Sequence, residues 1–254
     1  MKHKIYIGCS GFSNRDWKGY FFPEDLPSKD QLNYYSEKFN SVEINSTFYR
    51  RPRPQTLENW YTKTGADFKF FVKIPKTITH IKRLSETSTE TLDFCNHIHK
   101  GIREKLAGFL FQLPPTFHFS NENLEKVLET VDGQYLNVVE FRHKSWWNDE
   151  VLETLKKKNI VFSGVSFPKD IPDEFTVNND KFAYYRLHGV PVLFKSEYSE
   201  DEISKLAETI TKAKRTVYVF FNNTWGVAAL NNALLLQKKL VERVKTSFQS
   251  HNPA

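Results

Sequence analysis

The stretch of residues 39–50 places a carboxylate and an amide inside a short apolar segment. Val42 and Ile44 predict a strand, and because strand side chains alternate between faces, Glu43 and Asn45 point together to the opposite side. A carboxylate is costly to bury unless it has a partner or a chemical task. Glu43 is therefore either an active-site acid or base, or a buried structural residue held in a salt bridge.

Polar side chains also stand at the carboxyl ends of five further apolar stretches, each of which predicts a strand. The amino ends of these stretches carry no comparable group. The side chains, including those in the loops that follow directly, are Lys73, His80, Gln112, Glu140, Arg142, His143, Tyr184, Arg186, His188, Asn222 and Asn223. A one-sided distribution of this kind is typical of an active site at the carboxyl ends of parallel strands.

These residue types predict acid–base chemistry on an anion. Carboxylates and imidazoles transfer protons, and two carboxylates can divide acid and base roles if their surroundings separate their pKa values. The predicted catalytic residues are Glu43, Glu140, His143 and His188. Guanidinium and ammonium groups bind phosphate or carboxylate, while amides and an indole ring add polar and stacking contacts. The predicted substrate-binding residues are Asn45, Lys73, His80, Gln112, Arg142, Trp146, Arg186 and Asn223.

Simpler explanations stay open for several of these residues. Glu140 and Arg142 share one face of a strand, so they could form a purely structural ion pair. An isolated histidine is more often a hydrogen-bonded structural residue than a ligand or a base. Asn222 and Asn223 could only turn the chain, and Trp146 could only pack in the core or at its rim.

A metal-dependent hydrolase or isomerase is an alternative function, because Glu43, Glu140, His143 and His188 are admissible metal ligands. No compact spacing such as H-x-x-x-H or C-x-x-C supports a metal, and the cationic neighbours oppose one. We therefore predict no metal site.

A nucleic-acid-binding module is the other alternative. The formal net charge of +6 favours an anionic ligand, although several positive residues are typical of solvated helix faces. The Arg50-Arg-Pro-Arg53 segment and the aromatic residues in the loops point to nucleic acid, because rings beside cations suit single strands.

The elements that position these residues alternate between strand and helix. The strands are predicted at residues 5–8, 42–45, 68–74, 108–113, 137–142, 160–165, 182–188 and 216–221. Alternation implies right-handed crossovers and a parallel sheet, and eight such units in 254 residues predict a (β/α)8 TIM barrel. The barrel is slightly irregular, because no helix follows the sixth strand. An open doubly wound sheet would carry a glycine-rich turn after its first strand, which this chain lacks.

Local details are predicted between these elements. Residues 50–54 are expected to be irregular, with Thr56 as the start of the next helix. Residues 77–80 are predicted as a loop. Leu92 is assigned to the buried stripe of the helix that follows.

The composition is typical of a globular protein, and we expect a single domain over residues 1–254. The 22 Phe, 11 Tyr and 5 Trp predict a core filled by rings. The apolar runs are too short for a transmembrane helix, and no signal-peptide stretch follows Met1. Cys9 and Cys95 form neither a disulfide framework nor a metal spacing, so we expect a reduced, cytoplasmic protein. The residues indicate no particular cofactor.

The ordered set of motifs resembles the DUF72 family, also called YecE-like. The motifs are Gly8-Cys-Ser-Gly-Phe12, Val42-Glu-Ile-Asn-Ser-Thr-Phe-Tyr49, Phe111-Gln-Leu-Pro-Pro115, Val139-Glu-Phe-Arg-His143, Tyr185-Arg-Leu-His-Gly189 and Phe221-Asn-Asn223. The resemblance covers essentially the whole chain and implies a TIM barrel. It implies a site at Glu43, Asn45, Lys73, His80, Gln112, Glu140, Arg142, His143, Arg186, His188 and Asn223. It implies no reaction, because the family is named for lacking an established function.

One position departs from the pattern that this resemblance implies. The family usually carries Asp-x-Pro at the end of the sixth strand, where this chain has Ser166-Phe-Pro168. If that Asp is catalytic or a ligand in relatives, the activity of this chain is altered or lost.

The function predicted from the sequence is an enzyme that acts on an anionic, phosphate-bearing small molecule by Glu and His acid–base chemistry.

Overall fold

The computed structural model describes residues 3–131 and 133–250, with side chains up to residue 243. Met1, after which no signal peptide is predicted, lies outside the described residues. The strands are β1 (Ile5–Cys9), β2 (Ser41–Ile44), β3 (Lys69–Lys73), β4 (Leu106–Gln112), β5 (Asn137–Glu140), β6 (Ile160–Phe162), β7 (Gly164–Ser166), β8 (Phe182–Leu187) and β9 (Thr216–Phe221). The pairings run in the orders β1-β9-β8-β7 and β2-β3-β4-β5-β6, and the paired strands are parallel.

Two seams join these sheets into one barrel. β6 and β7 are the halves of a single barrel strand, and Ser163 between them still donates its N–H to the Val139 carbonyl at 2.9 Å. At the other seam the Asn40 side chain replaces ladder bonds between β1 and β2. It accepts from the Ile7 N–H at 2.9 Å and donates to the Ile5 carbonyl at 2.8 Å. The eight-stranded barrel predicted from the sequence is therefore confirmed.

Helices follow seven of the eight barrel strands and cover the outside of the barrel. They are α1 (Gln31–Lys38), α2 (Pro54–Thr62), α3 (Ser88–Ile102), α4 (Asn121–Thr130), α5 (Asp149–Lys157), α6 (Glu200–Lys212) and α7 (Ala228–Ser250). Residues 167–181, between β7 and β8, contain no α-helix, which confirms the predicted irregularity. Within the described part of the chain, no helix has the length and apolarity needed to cross a lipid bilayer.

Three local predictions are wrong. α2 begins at Pro54 rather than Thr56, because proline lacks only an N–H that the first helical turn would leave unpaired. Residues Thr77–Ile81 form a π-helical turn rather than a loop. Leu92 is 38% exposed, since the helical period instead buries the face formed by Thr91, Phe94, Cys95, Ile98 and Ile102.

The barrel interior is filled by rings below a polar layer. The interior apolar cluster consists of Tyr6, Phe71, Leu110, Val138, Val161, Tyr184, Tyr218 and Phe220. Tyr6 and Tyr218 stack with their centroids 4.8 Å apart, as the aromatic composition predicts. Residues two positions further along the same strands share the inward face. They include Lys73, Gln112, Glu140 and Arg186, so the fold brings them together above the aromatic layer.

Candidate functional site

An ionic network crosses the barrel at the carboxyl ends of its strands. Arg186 donates from one terminal nitrogen to Glu43 at 2.6 Å and from the other to Glu140 at 2.8 Å. Arg142 donates from Nε to the second carboxylate oxygen of Glu140. Glu43 and Glu140 are fully buried, and Arg186 is 1% exposed. The ion pair between Glu140 and Arg142, which the sequence allows as a structural alternative, therefore forms as part of a larger network.

The network keeps Glu140 and Arg186 ionised. Burial alone would raise the pKa of Glu140, but Arg142, Arg186 and His188 hold it well below the ordinary value. Burial alone would lower the pKa of Arg186, but Glu140 and Glu43 raise it. Glu140 thus carries no proton at neutral pH, so it has no proton to donate as an acid.

Glu43 accepts hydrogen bonds from two hydroxyl groups in addition to Arg186. Ser10 donates to it at 2.7 Å, and the buried Tyr184 hydroxyl donates to its other oxygen. Burial, followed by the negative charge of Glu43, raises the pKa of Tyr184 well above its ordinary value. Tyr184 therefore keeps its proton, and both oxygens of Glu43 are occupied.

His188 is a neutral member of the network. Its Nε2 lies 3.3 Å from Glu140 Oε2 and 3.2 Å from a terminal nitrogen of Arg142. Burial first, and then the charge of Arg142, lower its pKa to about 3. The amide nitrogen of Asn222 lies 2.8 Å from Nδ1, so a proton on Nε2 lets Asn222 donate to the ring and the ring donate to Glu140. Asn222 is a site residue that was not among those predicted.

Lys73 lies beside this network at the end of β3. Its Nζ donates to Gln112 Oε1 at 2.9 Å and lies 4.1 Å from the centroid of the Phe48 ring. Burial, followed by the charge of Arg186, lowers its pKa to about 7, although Glu140 and Glu43 oppose the shift. The residue is 9% exposed. Phe48 is a second contact that the sequence analysis did not identify.

His80 extends this group towards the barrel mouth. Its Nε2 lies 3.4 Å from the amide nitrogen of Gln112, and its Nδ1 lies 2.9 Å from the Thr79 hydroxyl. Burial, followed by the charge of Lys73, lowers its pKa to about 4. His80, Gln112 and Lys73 therefore form a connected row whose imidazole is uncharged at neutral pH.

His143 and Trp146 lie away from the network. His143 Nδ1 is 2.8 Å from the Ser145 hydroxyl, and its ring stacks on His118 with centroids 3.9 Å apart. Trp146 is fully buried, and its indole N–H donates to the Phe117 carbonyl at 2.7 Å. Trp146 therefore packs in the core, while His143 still borders a cleft of about 210 Å³ that Arg142 also lines.

Asn223 and Asn45, at the carboxyl ends of the strands, differ in their hydrogen bonding. Asn223 is fully buried, and its amide donates to the Ser196 carbonyl at 2.9 Å, so it holds the loop after β8. Asn45 is half-buried at the end of β2, and its Oδ1 has no hydrogen-bond partner among the described residues. Asn45 Oδ1 is thus a buried acceptor whose hydrogen-bonding capacity is unused among the described residues.

Ser166 lies apart from the ionic network. Its hydroxyl donates to Asp173 at 2.9 Å and accepts from Tyr198 at 2.9 Å. These three residues line a cleft of about 340 Å³ beside α6, on the outer side of the barrel wall. Ser166 is the residue that departs from the family pattern. Its hydroxyl makes these hydrogen bonds outside the Glu43 and Glu140 network, so this serine does not occupy any group of that network.

The four residues that are admissible metal ligands are not arranged around a common point. Over the residues that the structure describes, no cluster of three or more His, Cys, Asp or Glu side chains is arranged to hold an ion. Glu43 and Glu140 are turned towards Arg186, and His143 lies outside their network.

The fold and the site define a (β/α)8-barrel protein with a buried ionic network and a low-pKa lysine at the carboxyl ends of its strands. The chain belongs to the family described as "Protein of unknown function DUF72", whose model matches residues 6–254. This membership confirms the resemblance found in the sequence motifs.

Curated proteins and solved structures agree with this family. The UPF0759 protein YunF of Bacillus subtilis is 24% identical over 98% of both chains. The crystal structure of a DUF72 family protein from Thermotoga maritima is 34% identical with a TM-score of 0.83, covering 94% of this chain and 100% of that one. A methyltransferase from Methanosarcina mazei is 10% identical over 94% of each chain with a TM-score of 0.52, which reflects the shared fold alone.

Proposed function

We propose that this protein is an enzyme that acts on an anionic, phosphate-bearing small molecule at the carboxyl ends of the barrel strands. The observation that carries the proposal is the charge of Lys73. The carboxylates of Glu43 and Glu140 balance the guanidinium groups of Arg142 and Arg186, which leaves Lys73 as the surplus cation. We also propose that the reaction takes place in the cytoplasm, where the thiols of Cys9 and Cys95 would stay reduced.

The substrate's anionic group is assigned to members of the site that no described ion pair holds. Lys73 supplies the charge, and Gln112 and Asn45 supply amide contacts. Both terminal nitrogens of Arg186 already donate to carboxylates, so we assign Arg186 to positioning rather than to substrate binding.

Proton transfer is assigned according to which groups are ionised and which carry a proton near neutral pH. Glu140 is ionised and acts as the base, with His188 fixing its orientation through Nε2. A pKa of about 7 makes Lys73 a proton donor close to neutral pH, the condition under which general acid catalysis is most effective. Glu43 holds Arg186 and Tyr184 in place.

Ligand-dependent thermal unfolding tests this function. Phosphorylated sugars and nucleotides are screened, and a ligand at 100 times its Kd is expected to add about 2.7 kcal/mol of stability. The Lys73→Met variant is expected to lose most of this stabilisation. The exposed Lys157→Met variant is the control and should keep it. A wild-type protein that no phosphate-bearing compound stabilises would contradict the proposal.

The pH dependence of anion binding gives a second readout in the same experiment. Lys73 binds an anion in its protonated form, so affinity is expected to fall as the pH rises through about 7. Phosphate monoesters gain negative charge near pH 6, which opposes this trend. Sulfate keeps a constant charge and therefore isolates the titration of the lysine. His80 and His188 are already neutral in this range and should not contribute.

A second candidate function is binding of single-stranded nucleic acid. Exposed aromatic side chains lie in the loops after the strands, including Tyr49 at 75% and Trp225 at 67% exposure. Arg50 and Arg53 line a cleft of about 410 Å³ on the same side as Tyr49, and Lys195 lies 4.5 Å from the Trp225 ring centroid. Rings beside cations stack bases and neutralise phosphates.

Salt-dependent binding of oligonucleotides tests this second function. The affinity of the wild-type protein should fall steeply as salt rises, because bound phosphates release counterions. Replacing Trp225 by Ala should cost about 1–3 kcal/mol of binding free energy if a base stacks on it. The Leu234→Ala variant, at an exposed position on α7, is the control. Absence of binding at low salt would rule out this candidate.

A further inference from the structure

Two buried lysines of this protein differ in how their amino groups are held. Lys105 is 5% exposed, and its Nζ donates to the carbonyls of Tyr61 and Thr64 and to the Thr64 hydroxyl. Three oxygen acceptors match the three N–H groups of an ammonium ion. Burial lowers the pKa of Lys105, but these acceptors give it the surroundings of a structural lysine.

Lys73 has almost the same exposure and very different surroundings. Its described hydrogen bond goes to the neutral amide oxygen of Gln112, and the Phe48 ring covers another side of the amine. Within the described residues, no carboxylate lies at ion-pair distance from Nζ, because Glu43 and Glu140 are held by Arg186. The amine is thus desolvated without the acceptors that would keep a structural lysine charged.

The position of Lys73 in the fold directs the amine towards the carboxyl ends of the barrel strands. Lys73 ends β3 and follows Phe71 on the inward face, so it stands on the ring layer and below the barrel mouth. Asn45, with its unpaired Oδ1, follows the neighbouring strand β2. A molecule bound through these groups lies against the amine.

We propose that Lys73 is a nucleophile that forms a Schiff base with the carbonyl group of an anionic aldehyde or ketone. The inference rests on the proposed function, since it names the substrate class of the same site. A pKa of about 7 agrees with it, because a large fraction of the amine is then neutral at physiological pH.

The step balances without any further reactant. The Nζ lone pair attacks the carbonyl carbon to form a C–N bond, and the carbonyl π electrons move to oxygen, which takes up a proton. The nitrogen then loses a proton, and a second proton on the hydroxyl group lets it leave as water. The product is an iminium ion, in which the substrate carbon is joined to Lys73 by a C=N bond and one water has been released.

The network beside Lys73 suits the proton transfers and the product. Glu140 and Glu43 are close enough to raise the pKa of Lys73, and they would stabilise the permanent positive charge of the iminium. The neutral His80 lies on the other side of Gln112, where it can accept a proton.

Reductive trapping tests this inference. Wild-type protein is incubated at pH 7 with glyoxylate, an anionic aldehyde, and then with borohydride, which delivers hydride to C=N and fixes the adduct. Peptide mass spectrometry is expected to find labelling at Lys73 at least about tenfold above that at exposed lysines, because their neutral fractions at pH 7 are on the order of 10³-fold smaller. Sulfate is expected to reduce labelling at Lys73 by competing for the site.

The Lys73→Arg variant separates this inference from the proposed function. It keeps a cation for anion binding but cannot form a Schiff base. It should lose the adduct and still be stabilised by phosphorylated sugars. Labelling spread evenly over the lysines of the wild-type protein, while phosphorylated sugars still stabilise it, would overturn the Schiff base and leave the proposed function intact. Because that comparison uses wild-type protein, it does not depend on the folding of a variant.

Discussion

The Arg186→Met variant is expected to unfold with a free energy about 3–5 kcal/mol below that of the wild-type protein. Arg186 is the common partner of Glu43 and Glu140, and all three side chains are buried. Removing the guanidinium leaves two buried carboxylates with less positive charge and fewer hydrogen-bond donors beside them. Urea unfolding at pH 7, followed by far-UV circular dichroism, measures the difference.

The pH dependence of this difference has a defined sign. In the wild-type protein the pKa of Glu140 is depressed, so its stabilising contribution is present above the unfolded-state pKa and is lost as the pH falls through the folded-state value. In the Arg186→Met variant the pKa of Glu140 is no longer lowered by Arg186, so less of this stabilising contribution is present at neutral pH. The stability difference between the two proteins should therefore narrow as the solution is made acidic.

A surface ion pair provides the matched control. Arg51 donates to Asp93 at 2.5 Å, but both side chains are largely exposed, at 45% and 66%. The Arg51→Met variant should lose at most about 1 kcal/mol, because exposed pairs gain little over their hydration. Equal losses in the two variants would show that the buried network makes no special contribution to stability.

The barrel itself is predictable from the sequence because its signals are local. Short apolar runs alternate with helical periodicity, and each run ends in turn residues or proline. The absence of a helix after the sixth strand is equally local, since Pro168 and Pro172 fall in that segment. Proline at the start of α2 shows the limit of such rules, because Pro54 both ends an irregular stretch and begins a helix.

Much of the network is also predictable, because strand parity places its members on one inward face. Parity further identifies Asn222, since Phe220 points into the barrel and Asn222 is the next residue on that face. Asn223 has the opposite orientation and holds a loop. The sequence-based prediction selected Asn223 instead of Asn222, because it did not use this alternation between strand faces.

Other features of the site have no local signal. Arg186 lies 143 residues from Glu43, and only the closed barrel shows that it occupies both carboxylates and is not free to bind an anion. Trp146 follows a strand as a ligand-stacking ring would, yet it stacks on the Phe141 ring at 3.9 Å in the core. Pairing partners and the direction of a loop side chain depend on tertiary packing that a sequence pattern does not contain.

The Glu140→Gln variant is expected to separate binding from turnover. Glutamine keeps the shape of the side chain but removes the base, so turnover of the phosphate-bearing compound that stabilises the wild-type protein should fall by about 10²–10⁴-fold. The same change removes one negative charge from beside Lys73 and Arg142, so the affinity for sulfate should rise at a pH well below 7, where Lys73 stays protonated in the variant. Turnover and sulfate-dependent thermal unfolding are measured on the same preparation, with the exposed Glu125→Gln variant as control.

The two readouts distinguish a catalytic carboxylate from a structural one. Glu140 raises the pKa of Lys73, so its neutralisation should also move the pH midpoint of sulfate binding below the wild-type value of about 7. A structural residue would lower both binding and turnover as the fold weakens, and would do so in parallel. Loss of turnover together with stronger anion binding is expected only if the negative charge of Glu140 acts on the reaction itself. Unchanged turnover in Glu140→Gln would contradict the assignment of Glu140 as the base.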